Sequence, residues 1–194
     1  MLTFWRYGYE STSIVDLTTA MGITAPSLYA AFGDKKRLFL ETTRLYAGDP
    51  QAAASVISDA PTAYAAARDM LTAAAALYTG ATTPKGCLLT SATASGSVAS
   101  ADVQHAVAQI RHATEARLRD RIERDRATGL LPKSTDATGL SGLVMAVILG
   151  MSGLARDGID RAGLIAIVEA MLLAWPAPCA TAPEGYDIKE IGNP

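Results

Sequence analysis

An all-α fold is the class this 194-residue sequence predicts. Three observations predict it. Alanine, the residue with the smallest helical penalty, is abundant. Apolar residues recur three and four positions apart through most of the chain. Alternating clusters of Val, Ile and Thr, which mark half-buried strands, are absent. The length suits one compact unit or two small ones.

The elements follow in chain order. Residues 2–7 read as the end of a helix stopped by Gly8, which can take the left-handed position past a helix end. Thr12 or Ser13 caps a second helix, and Ser13 with Asp16 three residues on has the form of a capping box. Ile14, Leu17 and Met21 share its inner face, and Gly22 ends it. After a short turn, a third helix covers about 25–31, with Leu28 and Phe32 inside and Gly33 as its breaker. Asp34 caps a fourth, from Lys35 to about Ala47, and Gly48-Asp49-Pro50 closes the section. Further helices are expected over 61–79, opened by Pro61, over 86–94, and over 101–128. A small-residue loop, 95–100, precedes the long one. Two last helices cover 136–156 and 160–175, with Gly158 between them. The division expected is 1–48, 49–176 and an irregular tail, 177–194.

Composition narrows the function. The formal net charge is −2, so bulk charge does not make the molecule a polyanion binder. Residues 1–48 are slightly basic and the remainder acidic. No continuous apolar run opens the chain, so a reducing cytoplasm is expected and a secretory signal is not. The longest uncharged apolar run, Leu140 to Ala155, contains three glycines and reads as a buried interface helix, not a membrane span. No nucleophile–base spacing, phosphate-cradling glycine loop or purposeful carboxylate pair is present, so neither an enzyme nor a cofactor is expected.

Residues 11–32 carry the chemistry. Two short helices joined by a glycine-containing turn form a helix-turn-helix, whose second helix can enter the major groove while the first crosses the backbone. Lys35, Lys36 and Arg37 then place three cations in the first turn of a helix, where the dipole disfavours them. A phosphate at that helix end reverses the sign. The plainer reading is a solvated basic turn screened by salt.

Residues 4–46 resemble the N-terminal domain of the TetR family of regulators. Phe4, Gly8-Tyr9, Thr12-Ser13-Ile14, Gly22-Ile23, Ser27-Leu28-Tyr29, Phe32, Lys35 and Leu38 carry the likeness. The resemblance implies a helix-turn-helix domain with a shortened first helix, followed by a C-terminal helical ligand-binding and dimerisation domain. It implies that Thr12 contacts phosphate and that Thr24, Ala25, Pro26 and Ser27 open the recognition helix. Tyr29 and Lys35 would grip phosphates, leaving Ile14, Leu17, Leu28, Phe32 and Leu38 as core. Ala30 and Ala31 stand where family members often carry larger polar or aromatic residues. They can touch a thymine methyl but cannot bond two atoms of a base, so shape and phosphate contacts gain weight. The family pattern also extends the first helix upstream of Phe4, so Met1 falls inside that helix.

The larger helical part carries apolar stripes at 140, 143, 144, 147, 148, 151 and 154, then at 164, 165, 168, 171, 172 and 175. Gly139, Gly142, Ala146, Gly150 and Gly153 add small residues to the first. Either an intrachain core or a dimer seam fits. The resemblance favours a homodimer through the last two helices, set on double-stranded DNA at a palindromic operator. It also implies a small-molecule effector, with Tyr64, Met70, Leu71, Tyr78, Cys87, Leu88, Ile110 and Met145 as lining. Ordinary core packing is the competing reading for each of these. Cys87, beside Lys85 at a helix start, is either a reactive thiol or a small buried residue. Cys179 lies far from it in sequence, with no metal spacing. His105, His112 and Glu115 share a helix, and a solvated face is favoured there over a metal site. The Arg-rich stretch 111–126 reads as exposed charge pairing. A helical small-molecule-binding or interaction protein with a degenerate DNA-binding head is the alternative.

Overall fold

A computed structural model describes residues 1–93 and 100–178, apart from the side chains of residues 50 and 53. The expected loop at 95–100 (save Ser100), most of the tail and Cys179 lie outside the described residues. Among the described residues there are helices and turns but no strand.

The four N-terminal helices are α1 (Leu2–Tyr7), α2 (Ile14–Met21), α3 (Ala25–Phe32) and α4 (Lys35–Ala47). Their starts follow from capping chemistry. Ser13, Thr24 and Asp34 each accept a hydrogen bond from the backbone N–H three residues on, satisfying a donor the helix leaves orphaned. Ser13 and Asp16 form the full reciprocal box, and these bonds from Ser13 hold the Asp16 carboxyl below the usual carboxylate range. Gly22 ends α2 in the left-handed region at φ 65°, so the chain turns at once into α3. Phe4 and Trp5 are buried and anchor the short α1, with the Phe4 ring edge-on to Phe39 of α4 at 5.1 Å.

One helix escaped the sequence reading: α5 (Pro50–Ser58) follows α4 almost directly. Its signal was present. Asp49 caps it and Pro50 occupies its first turn, the pairing that opens helices. The next helix, α6 (Ala63–Tyr78), starts two residues later than expected, because Thr62 rather than Pro61 sets its start and accepts from the Ala65 N–H. Then come α7 (Leu88–Ala92), α8 (Ala101–Ala127), α9 (Ala137–Arg156) and α10 (Arg161–Leu173). The core is continuous: α6 packs on α8, α9 and α10, α8 lies along α9, and α1 rests on α7.

The Arg-rich stretch on α8 corrects the expectation of a wholly exposed face. Arg121 and Asp125 are buried and paired with each other. The second Asp125 oxygen accepts from the Ala63 N–H at 2.6 Å, capping α6 from outside, and Arg121 donates to the Ala60 and Pro61 carbonyls. One turn of helical spacing does not reveal which face the neighbouring helices cover.

Gly86 locks the joint between the N-terminal helices and the rest. Its φ is +79°, and an added Cβ would lie 2.7 Å from the Ser152 carbonyl oxygen on α9. Its own carbonyl accepts from the Trp5 indole at 3.1 Å. Gly86→Ala is expected to destabilise the chain by at least ~1 kcal/mol, because both the backbone conformation and the space exclude a side chain. A shift of the urea midpoint to lower concentration checks this; an unchanged midpoint contradicts it.

Candidate nucleic-acid interface

The outward face of α3 is built by what α3 buries. Leu28 is fully buried and Phe32 is half-buried against the core. The helical period therefore turns Pro26, Ser27, Tyr29, Ala30 and Ala31 to solvent. Tyr29 is 47% exposed, so among the described residues its hydroxyl stands free on the outer face of α3. The start of α3 is polar and pinned: Thr24 caps it, its hydroxyl lies 2.9 Å from that of Ser27, and Pro26 sits in the first turn. Ala25 is half-buried. Five of the residues expected to reach DNA thus open one short, exposed helix or stand on it.

Two others lie differently. Thr12 corrects the expectation of a side-chain phosphate contact. It is 1% exposed and its hydroxyl donates to the Gly8 carbonyl at 2.6 Å, so it braces the turn between α1 and α2. Lys35 is half-buried, with Nζ 4.5 Å from the centre of the Tyr9 ring and donating to the Glu10 carbonyl at 3.4 Å. Loss of water pulls its pKa below the ordinary lysine value. The ammonium is held in place before any ligand arrives.

The cation cluster on the first turn of α4 divides its work. Lys36 pairs across the molecule with Asp102 on α8. Arg37 is exposed, and its guanidinium lies over Gly33. The sequence marked all three as cations on one helical turn and gave a phosphate contact to Lys35 alone. It had no signal for Asp102, which is 66 residues away.

The eight residues expected to line a ligand pocket sit in or against packed core. Leu71, Tyr78, Cys87 and Leu88 are buried, Met70 and Ile110 are half-buried against them, and Tyr64 meets the Trp175 ring edge-on at 5.9 Å. Met145 is half-buried on α9. Among the described residues two surface depressions stand out, of about 500 Å³ beside Phe32, Arg37 and Leu40 and about 460 Å³ beside Lys85, Arg156 and Arg161. None of the eight lines either. Cys87 supports the bland reading: its thiol is buried and accepts from the Tyr46 hydroxyl at 3.3 Å. Burial and that neighbouring thiol push the Tyr46 phenol upward. Among the described residues no cluster of His, Cys, Asp and Glu could hold a metal, so His105, His112 and Glu115 form no such group.

A capped helix pair joined through a left-handed glycine, with an exposed second helix and a fixed lysine just beyond it, defines a helix-turn-helix DNA-binding protein. Comparison with known proteins gives the particular family. Residues 3–42 match the sequence model of bacterial regulatory proteins of the tetR family, and residues 64–171 match the tetracyclin repressor-like C-terminal domain. The chain belongs to the TetR family and is a DNA-binding transcriptional regulator, not an enzyme. It is 34% identical to the HTH-type transcriptional repressor ComR of Escherichia coli K12, over 91% of this chain and 85% of that one. It is also similar to the TetR family regulator CifR, solved as a cysteine mutant with 26-bp double-strand operator DNA. That match has a TM-score of 0.84, 36% identity, and covers 90% of this chain and 92% of CifR. A TetR regulator from Rhodococcus sp. RHA1 matches with a TM-score of 0.63 and 37% identity over 90% of this chain and 93% of that one.

Proposed function

We propose that this regulator is a cytoplasmic repressor that grips a palindromic operator as a two-fold homodimer and releases it when a small molecule binds. Residues 1–48 form the reading head, 49–176 the pairing and effector-binding part, and 177–194 a tail. The groove receives Thr24, Ala25, Pro26 and Ser27. Tyr29 and Lys35 hold phosphates on either side. Repression is supported by the likeness to ComR, and duplex binding by the likeness to CifR in complex with its operator.

The observation that carries the pairing is the uncovered side of α9 and α10. Gly139, Leu143, Ala146, Gly150 and Gly153 are exposed at alternating spacings of four and three, a heptad-like seam. Ala162, Ala166, Ala170 and Leu173 continue it on α10, with Leu173 85% exposed. The helix α9 is long and apolar enough to cross a membrane, yet only 39% of its most apolar 18-residue stretch is buried. A second copy offering the same face covers both stripes in a four-helix bundle.

For the effector, Tyr64, Met70, Ile110 and Met145 are the half-buried members of the expected lining. They are the ones an apolar ligand reaches first. Leu71, Tyr78, Cys87 and Leu88 lie deeper and part only if the core rearranges.

Light scattering on the purified chain tests the pairing. A molar mass near twice 20.2 kDa is the expected result, and a mass of 20.2 kDa refutes it.

A further inference from the structure

We infer that Asp102 is a positioning residue for operator binding: through Lys36 it fixes the angle of the reading head on the body of the protein. The ion pair is the observation. Lys36 stands in the first turn of α4, a few residues past the end of α3. Asp102 stands in the first turn of α8, the long helix that lies along α9. A path of direct contact thus runs from α3 through α4, across the Lys36–Asp102 pair, along α8 and into the helix carrying the uncovered seam.

Electrostatics explains why these residues are placed so. A cation in the first turn of a helix opposes the dipole, whereas an anion there is favoured. Lys36 on its own is misplaced, and the Asp102 carboxylate compensates it. Asp102 is itself fixed, because its other oxygen accepts from the Val103 N–H at 2.8 Å. The hydrogen bond from Lys36, with that from the Val103 N–H behind it, holds the Asp102 carboxyl below the usual carboxylate range. The pair also faces a charged neighbourhood at the edge of the head, where Asp34, Glu10 and Lys36 all act on Tyr9 along with Asp102. Lys36 is therefore committed to the body, unlike Lys35, which is held against Tyr9 and Glu10 in the turn after α1.

Both partners are partly exposed, at 42% and 53%, so replacing them leaves the core intact. An exposed pair contributes little to stability. It matters here because it acts on geometry: both heads must meet the duplex at one spacing, and each loosened head weakens the whole complex. The consequence for spacing rests on the homodimer proposed above, and molar mass reports on that reading separately.

The test uses a fluorescent duplex selected from a random library by the wild-type chain. Asp102→Asn is expected to weaken binding about two- to tenfold, Lys36→Met by a similar factor, and the double variant no further than either alone. The reversal Lys36→Asp with Asp102→Lys is expected to recover most of the loss, which a merely structural role of either side chain would not produce. The slope of affinity against salt stays unchanged for Asp102→Asn. Unchanged or tighter binding by Asp102→Asn, with a steeper salt slope, overturns the inference, because it means that Lys36 is a phosphate contact that Asp102 holds back. Failure of the reversed pair to recover affinity overturns it as well.

Discussion

Asp125→Ala is expected to lower the stability of the chain by about 3–5 kcal/mol, the usual cost of removing one partner from a buried ion pair. Asp125 is only 2% exposed and its partner Arg121 only 9%. Removing the carboxylate leaves the guanidinium, among the described residues, with the Ala60 and Pro61 carbonyls as its acceptors. It also removes one acceptor at the start of α6, because the Ala63 N–H loses its partner while Thr62 still holds the Ala65 N–H. A loss of that size is a large share of the roughly 5–15 kcal/mol that holds a typical domain together. Asp125→Asn keeps the volume but still leaves a buried, uncompensated cation, so most of the loss remains. Replacing both partners, Arg121→Met with Asp125→Leu, removes the stranded charge and is expected to recover part of it. Urea unfolding at fixed protein concentration measures all three. A midpoint for Asp125→Ala close to that of the unaltered chain contradicts this account of the α6–α8 joint.

Ala146→Arg has its expected effect in a different quantity. Ala146 is exposed in the single chain, so an arginine there disturbs no packing within it. In the proposed two-fold seam Ala146 of each chain packs against the partner, so two long cations would stand where two small side chains stood. The expected mass falls to that of one chain, 20.2 kDa. Operator affinity is expected to fall at least about a hundredfold, because a lone head loses the gain from tethered double engagement. Helix content is expected to stay the same by circular dichroism. A variant that remains paired and binds normally places the seam elsewhere.

How much was legible in the sequence depended on the range of the interaction. Short-range chemistry read well. Ser13 with Asp16, Asp34, Gly22 and Gly33 mark helix ends through bonds reaching only a few residues, and each stands where the spacing put it, while Thr24, read as part of the turn, proves to be the cap of α3. The exposed face of α3 was equally plain, since Leu28 and Phe32 fix its inner side. The α5 helix was missed although Asp49-Pro50 announced it, because the same dipeptide also closes a segment. Long-range pairing was not legible. Nothing near Lys36 points to Asp102, and nothing near Ala63 points to Asp125. Burial overruled type at Thr12, where a hydroxyl suited to phosphate is used inside the protein. The eight candidate pocket residues show the same limit: apolar spacing places side chains inside but does not tell a filled interior from a lined one.

The central claim is that α3 faces the duplex, with Tyr29 and Lys35 holding its backbone on either side. Anisotropy titration of a selected duplex with the Tyr29→Ala, Lys35→Ala chain tests it directly. The account predicts at least a roughly tenfold loss that is similar across sequence variants of the duplex, with a salt slope shallower by about one and an unchanged molar mass. Affinity and salt slope equal to those of the unaltered chain would contradict it.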